Sequence, residues 1–185
     1  LGRMGKDRIV ESSWNPIAYA TNAFNFSQSH YPINSFHRKS KSTYSLISLR
    51  DPLDRICSFI NSFLDINNQS TFFSSEQDFI ENAHPDWILG QLYYLSQNNN
   101  LEEAKKELKN LSRVLICENS HCWDEVFNSD LNIEIKTKTA NKGHYKEKDI
   151  MKERIESLIS KNKELSKKLN DEYKLYEYGK KLSLQ

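Results

Sequence analysis

Cysteine is scarce in this chain. Cys57, Cys117 and Cys122 are its only three, and an odd count leaves at least one thiol free, so no disulfide framework holds the fold and a reducing compartment is favoured. Metal-ligand spacing is missing too: Cys117 and Cys122 flank His121, but the pattern fits no zinc motif and no second ligand pair stands elsewhere. Apolar runs are short, none near the roughly 18–20 residues that a membrane helix needs. Charge of one sign is lacking: 26 basic residues against 25 acidic ones leave a net charge of +1, which argues against non-specific nucleic-acid binding. The start, Leu1-Gly2-Arg3, shows neither an initiating Met nor a signal-peptide pattern. No internal repeat and no long low-complexity linker divides the 185 residues, so they read as one domain, 1–185. What is present suits a folded core: hydrophobic residues make up 37%, with nine Tyr, nine Phe and three Trp.

Two segments predict buried strands. Tyr44 to Leu49 ends abruptly at Arg50-Asp51-Pro52, and Arg113 to Cys117 ends at Glu118-Asn119-Ser120. Arg8–Glu11 and Ile133–Ile135 are weaker candidates. Continuous apolar character is what parallel strands covered on both faces show. Between them the spacing predicts helices over Pro52–Leu64, Ser75–Asn82, Pro85–Gln97, Leu101–Leu111 and His121–Asn128. The first has Asp51 as N-cap and Pro52 at its first position. A charged helical tail over Glu147–Leu182 breaks near Ser160–Lys163, with Leu165, Leu169, Tyr173 and Tyr176 packing onto the sheet. Trp87, Gln91, Tyr93 and Tyr94 fall at helical spacing and predict core packing. The alternation implies an α/β fold, a parallel central sheet flanked by helices with a helical C-terminus.

Chemistry concentrates between Leu46 and Phe63. Arg50 follows a buried strand, at the carboxyl end where open α/β sheets collect ligands, and the next helix points its N-terminal N–H groups at the same crevice. Ser58 lies about two turns into that helix. An arginine fork and a hydroxyl converging there suit a phosphate. The competing reading pairs Arg50 with Asp51 or Asp54 and leaves Ser58 as helix filler. The residues alone do not decide between the two.

Strand, Arg50-Asp51-Pro52, the pair Asp54-Arg55, and a Ser eight residues after the first Arg together resemble the 3′-phosphate motif of sulfotransferases that use 3′-phosphoadenosine 5′-phosphosulfate (PAPS). Two further segments are similar to the family, the second to its carbohydrate, Golgi-type and related bacterial members. Leu101-Glu102-Glu103-Ala104-Lys105 through Val114-Leu115-Ile116-Cys117-Glu118 resembles the family's helix followed by an apolar strand ending in Glu. Asn170-Asp171-Glu172-Tyr173-Lys174-Leu175-Tyr176-Glu177-Tyr178 resembles their closing helix. The resemblance runs in order from about residue 28 to 180.

It implies a P-loop-NTPase-like sulfotransferase fold that transfers the sulfuryl group of PAPS to an acceptor hydroxyl, on a carbohydrate, leaving 3′-phosphoadenosine 5′-phosphate (PAP). By the same resemblance Arg50 and Ser58 hold the 3′-phosphate, and His30 is the catalytic base. A neutral imidazole suits that role; the alternative is a structural His30 bonding a loop carbonyl near Pro32. His37, His84, His121 and His144 lack a matching context. Asn141, Lys142 and Gly143, in the loop Lys138–Tyr145, are candidate cofactor contacts, with plain solvent exposure as the alternative for each. No metal, nucleic acid or membrane span is expected.

One departure stands out. The family's Gly-rich 5′-phosphosulfate loop with its Lys is absent, and Gly2-Arg3-Met4-Gly5-Lys6 follows no strand. The expectation is that Leu1-Gly2 ends the family's first helix, that the loop lies upstream, and that this chain is an N-terminally truncated catalytic domain. Rival readings are a non-catalytic binding module of the same fold, or a P-loop kinase relative; the visible chain lacks the latter's Gly-x-x-x-x-Gly-Lys-[Ser/Thr] loop. A bacterial or viral source implies the cytoplasm, and an upstream anchor the Golgi lumen.

Overall fold

The computed structural model describes residues 44–65, 73–132 and 148–184. Two short strands, β1 (Leu46–Leu49) and β2 (Arg113–Ile116), pair in parallel with Leu46 opposite Arg113 and Leu49 opposite Ile116. The rest is mostly helical: α1 (Pro52–Asp65), α2 (Glu76–Asn82), α3 (Pro85–Ile88), α4 (Gln91–Leu95), α5 (Leu101–Asn110), α6 (Trp123–Leu131), α7 (Lys148–Ser160) and α8 (Lys163–Ser183), with a 3₁₀ segment at Cys117–Cys122. The α/β alternation is therefore present as a small parallel pair inside a helical frame. The weaker strand candidates, 8–11 and 133–135, lie outside the described residues. Among the described residues no helix is long and apolar enough to cross a membrane.

Local chemistry sets most helix boundaries. Asp51 accepts the Asp54 N–H at 2.9 Å through its side chain, capping α1 as its sequence position predicts. Ser75 caps α2 through the Asp78 N–H, Asn100 caps α5 through Glu102 and Glu103, and Asn162 caps α8 through Glu164 and Leu165. Asn162 therefore marks the break between α7 and α8.

Two cores form. One gathers Leu53, Ile56, Cys57 and Ile60 of α1 with Phe79, Ile80, Ile155, Ile159, Leu165 and Leu169. The other joins the sheet residues Leu49, Val114 and Ile116 to Leu92, Leu95, Ala104, Leu108, Leu175 and Tyr176. α8 serves both, and Glu172 stands on it between the Leu165–Leu169 and Leu175–Tyr176 contacts. Of the expected tail stripe, then, only its C-terminal part meets the strands. Gly179 keeps α8 close to the sheet, since a Cβ there would lie 2.4 Å from Leu49 Cδ1.

The structure corrects four further expectations. The predicted helix Pro85–Gln97 is two helices parted at Leu89-Gly90. In a continuous helix the Leu92 N–H would bond the Ile88 carbonyl. Here Arg55 Nη1 reaches that carbonyl at 3.2 Å, while Glu172 Oε1 takes the Leu92 N–H at 2.8 Å. Side chains from α1 and α8 have replaced the helical bond. Secondly, β1 is not covered on both faces: Leu49 is buried, but Leu46 is 38% exposed and Ser48 is exposed as well. Thirdly, Trp87 is 53% exposed rather than in the core, and Tyr93 and Tyr94 are half-buried. Lastly, the helix expected over His121–Asn128 begins at Trp123, whose indole N–H donates to the Ile116 carbonyl at 3.1 Å.

The amino end of β2 is tied to α6. Arg113 grips Asp130 with two hydrogen bonds of 2.8 Å, and the Tyr44 hydroxyl donates to the same carboxylate at 2.5 Å. Arg113 and then Tyr44 hold the Asp130 carboxyl at about 2, below its ordinary 3.8. A depressed carboxyl contributes its stability above the ordinary value and loses it as pH falls through the depressed one. Asp130→Asn is expected to cost about 1 kcal/mol at neutral pH. That difference from the parent should hold down to about pH 4 and fade towards pH 2 in denaturant titrations across pH.

Candidate anion site at the β1–α1 turn

Arg50 follows β1 at the carboxyl end of the parallel pair, directly before the N-terminus of α1. No ion pair joins it to Asp51 or Asp54. Those carboxylates face α7 instead: Asp54 pairs with Lys148 at 2.8 Å and more closely with Lys152, and Lys152 lies 4.0 Å from Asp51. Burial alone would raise the Asp54 carboxyl, but the two ammonium groups outweigh it and hold the group below its usual value. Among the described residues, Arg50 makes no ion pair. Ser58, half-buried, follows Asp54 by one turn on the same face of α1. The turn therefore carries Arg50 and a helix N-terminus beside a pair of carboxylates that two lysines already engage.

The backbone of the turn is held by side chains. The Arg50 N–H donates to Gln91 Oε1 at 2.7 Å, and Gln91 Nε2 donates back to the Arg50 carbonyl at 2.9 Å. Gln91 Nε2 also donates to Glu172 Oε2 at 3.1 Å. Gln91 and Glu172 are 5% and 1% exposed, so this is an interior network. Burial pushes the Glu172 carboxyl up; nearby Arg55, the Leu92 N–H and Gln91 oppose that shift. A parallel arrangement holds the next residue: the Asp51 N–H donates to Glu118 Oε1 at 3.0 Å, and the Tyr176 hydroxyl donates to Glu118 Oε2 at 2.9 Å.

Of the residues expected at the site, Arg50 thus lies directly before α1 and Ser58 midway along that helix. His30, Asn141, Lys142 and Gly143 lie outside the described residues. Sequence reasoning assigned Gln91 to core packing and gave Glu172, Lys148 and Lys152 no role. Glu172 carried a readable signal, an acidic residue within the apolar stripe of its helix; Lys148 and Lys152 share a helix face at i, i+4 but nothing local names their partners. Cys57 is buried, and its surroundings push the thiol up to about 11, as expected for an inert packing residue. A groove between α2 and α7, lined by Ser75, Glu76, Ile150, Arg154 and Leu158, contains none of the motif residues. Comparison with protein-family models, with curated proteins and with solved structures gives no match.

Proposed function

We propose that this chain is a sulfotransferase domain that binds PAPS at the β1–α1 turn and transfers its sulfuryl group to an acceptor hydroxyl, carried on a carbohydrate. One observation carries the reading. The three segments that resemble the family meet at a single place: Glu118, from the second, accepts from the Asp51 N–H of the first and from the Tyr176 hydroxyl of the third. They are far apart in sequence, and their meeting point is the carboxyl end of parallel strands, where such folds bind ligands.

The residues fit the 3′-phosphate. Arg50 offers a fork of N–H donors and is not spent on Asp51 or Asp54, and the α1 N-terminus adds a positive dipole end. Ser58 adds a hydroxyl from the same helix. In this proposal Arg50 and Ser58 anchor the cofactor, with Asn141, Lys142 and Gly143 as further contacts, and His30 takes the proton from the acceptor hydroxyl. PAPS supplies the sulfuryl group; the protein contributes positioning and charge, as in phosphoryl transfer. The finer fold assignment, P-loop-NTPase-like with a parallel central sheet, belongs to the same proposal.

Calorimetry with PAP and with adenosine 5′-monophosphate (AMP), which lacks the 3′-phosphate, tests it. A charge-assisted phosphate contact worth about 1.5–3 kcal/mol predicts PAP binding some 10- to 150-fold tighter than AMP. No PAP binding, or equal affinity for both, overturns the reading.

A further inference from the structure

We propose that Gln91 and Glu172 are positioning residues for Arg50: through them α8 braces the β1–α1 turn, so that the guanidinium is presented from a fixed backbone. The inference rests on the cofactor reading above and names the parts that organise its site.

Arg50 lies between the end of β1 and the start of α1, outside both hydrogen-bond ladders. The Gln91 amide supplies what a neighbouring strand would, an acceptor for the N–H and a donor for the carbonyl of the same residue. Its remaining N–H goes to Glu172, so all three of these amide contacts are used. Glu172 must accept twice, from Gln91 Nε2 and from the Leu92 N–H. Only a carboxylate offers an acceptor at both atoms; an amide would set its NH₂ against one of two buried donors. Residue types and orientations are thus interlocked from α8 to Arg50.

One turn further along α8, Tyr176 repeats the device through Glu118 to the Asp51 N–H. Successive amides of the turn are therefore held by two independent arms from one helix face. A network needed only to join α4 to α8 would end at Leu92 and Glu172; this one continues to the residue that carries the anion-binding fork.

The test is PAP and AMP affinity for Gln91→Met, close in length but without the amide, alone and combined with Arg50→Ala. We expect PAP affinity to fall about 5- to 20-fold, AMP affinity to change less than twofold, and no further loss when Arg50→Ala is already present. Equal losses for the two nucleotides, or full additivity with Arg50→Ala, would mean that the network only holds the fold, and would overturn the proposal. If Gln91→Met does not fold, Glu172→Gln, which sets an NH₂ against one of the two donors, should give a PAP-selective loss of about two- to fivefold; an unselective change or none overturns the proposal. A parent chain that melts cooperatively yet binds neither nucleotide removes the cofactor reading instead. Amide hydrogen exchange then decides the brace: the Arg50 N–H should exchange at least about tenfold faster in Gln91→Met than in the parent, and equal protection overturns it.

Discussion

His30→Ala is expected to lower sulfuryl transfer by about 10²–10⁴-fold, the share that general base catalysis supplies, while PAP affinity stays within about twofold. An imidazole with an ordinary pKa near 6.5 accepts a proton only when neutral, so the parent rate should rise with pH through about 6–7 and the variant should lose that limb. A structural His30 gives another pattern: a lower melting temperature, with cofactor and acceptor binding weakened together. Turnover, PAP affinity and melting measured on one variant separate the two. Activity retained within about threefold would move the base to another residue.

The second large effect belongs to Arg50. Arg50→Ala should weaken PAP binding by about 10- to 150-fold and leave AMP nearly unaffected, collapsing the preference that the 3′-phosphate creates. Arg50→Lys should recover only part, because an ammonium keeps the charge but lacks the planar fork. The pairing of Asp54 with Lys148 and Lys152 strengthens this expectation, since removing Arg50 strands no carboxylate of the turn. Calorimetry on the variants provides the check, and unchanged PAP affinity in Arg50→Ala would end its assignment. Ser58→Ala should act in the same direction with a smaller loss.

How much of this was readable in advance follows the range of the forces involved. The caps at Asp51, Ser75, Asn100 and Asn162 act within three residues, so α1, α2, α5 and the α7–α8 break fall close to where the sequence places them. The break at Gly90 was hidden. It depends on Arg55 and Glu172 arriving from helices remote in sequence to take the carbonyl and N–H of one helical turn. Periodicity sees the apolar face of Pro85–Gln97 and has no access to those partners. The exposure of Trp87 escaped as well, since helical spacing groups it with Gln91, Tyr93 and Tyr94 although the break puts it on a separate helix. At the site, Arg50 and Ser58 were legible because strand, turn and helix start are contiguous. Gln91 and Tyr176 were legible as packing residues, but the polar roles of Gln91, Glu118, Glu172 and Tyr176 were not, because they lie in contacts across 41 to 81 residues.

The bracing of the turn also sets an order of events during synthesis. Gln91 is made 41 residues after Arg50, and Glu172 a further 81 residues later. At about 5–20 residues per second, a growing chain carries Arg50 for roughly 6–25 s before the carboxylate that completes its support exists. Through that interval β1 can form and α1 can cap itself, since Asp51 needs only Asp54. Until Gln91 is made the N–H and carbonyl of Arg50 must bond to water, and until Glu172 is made the Gln91 amide that takes them over lacks its own anchor. A nascent chain halted before α8 should therefore hold a capped but incompletely packed α1 and no nucleotide, and ligand capture should begin as a late, abrupt step once α8 docks.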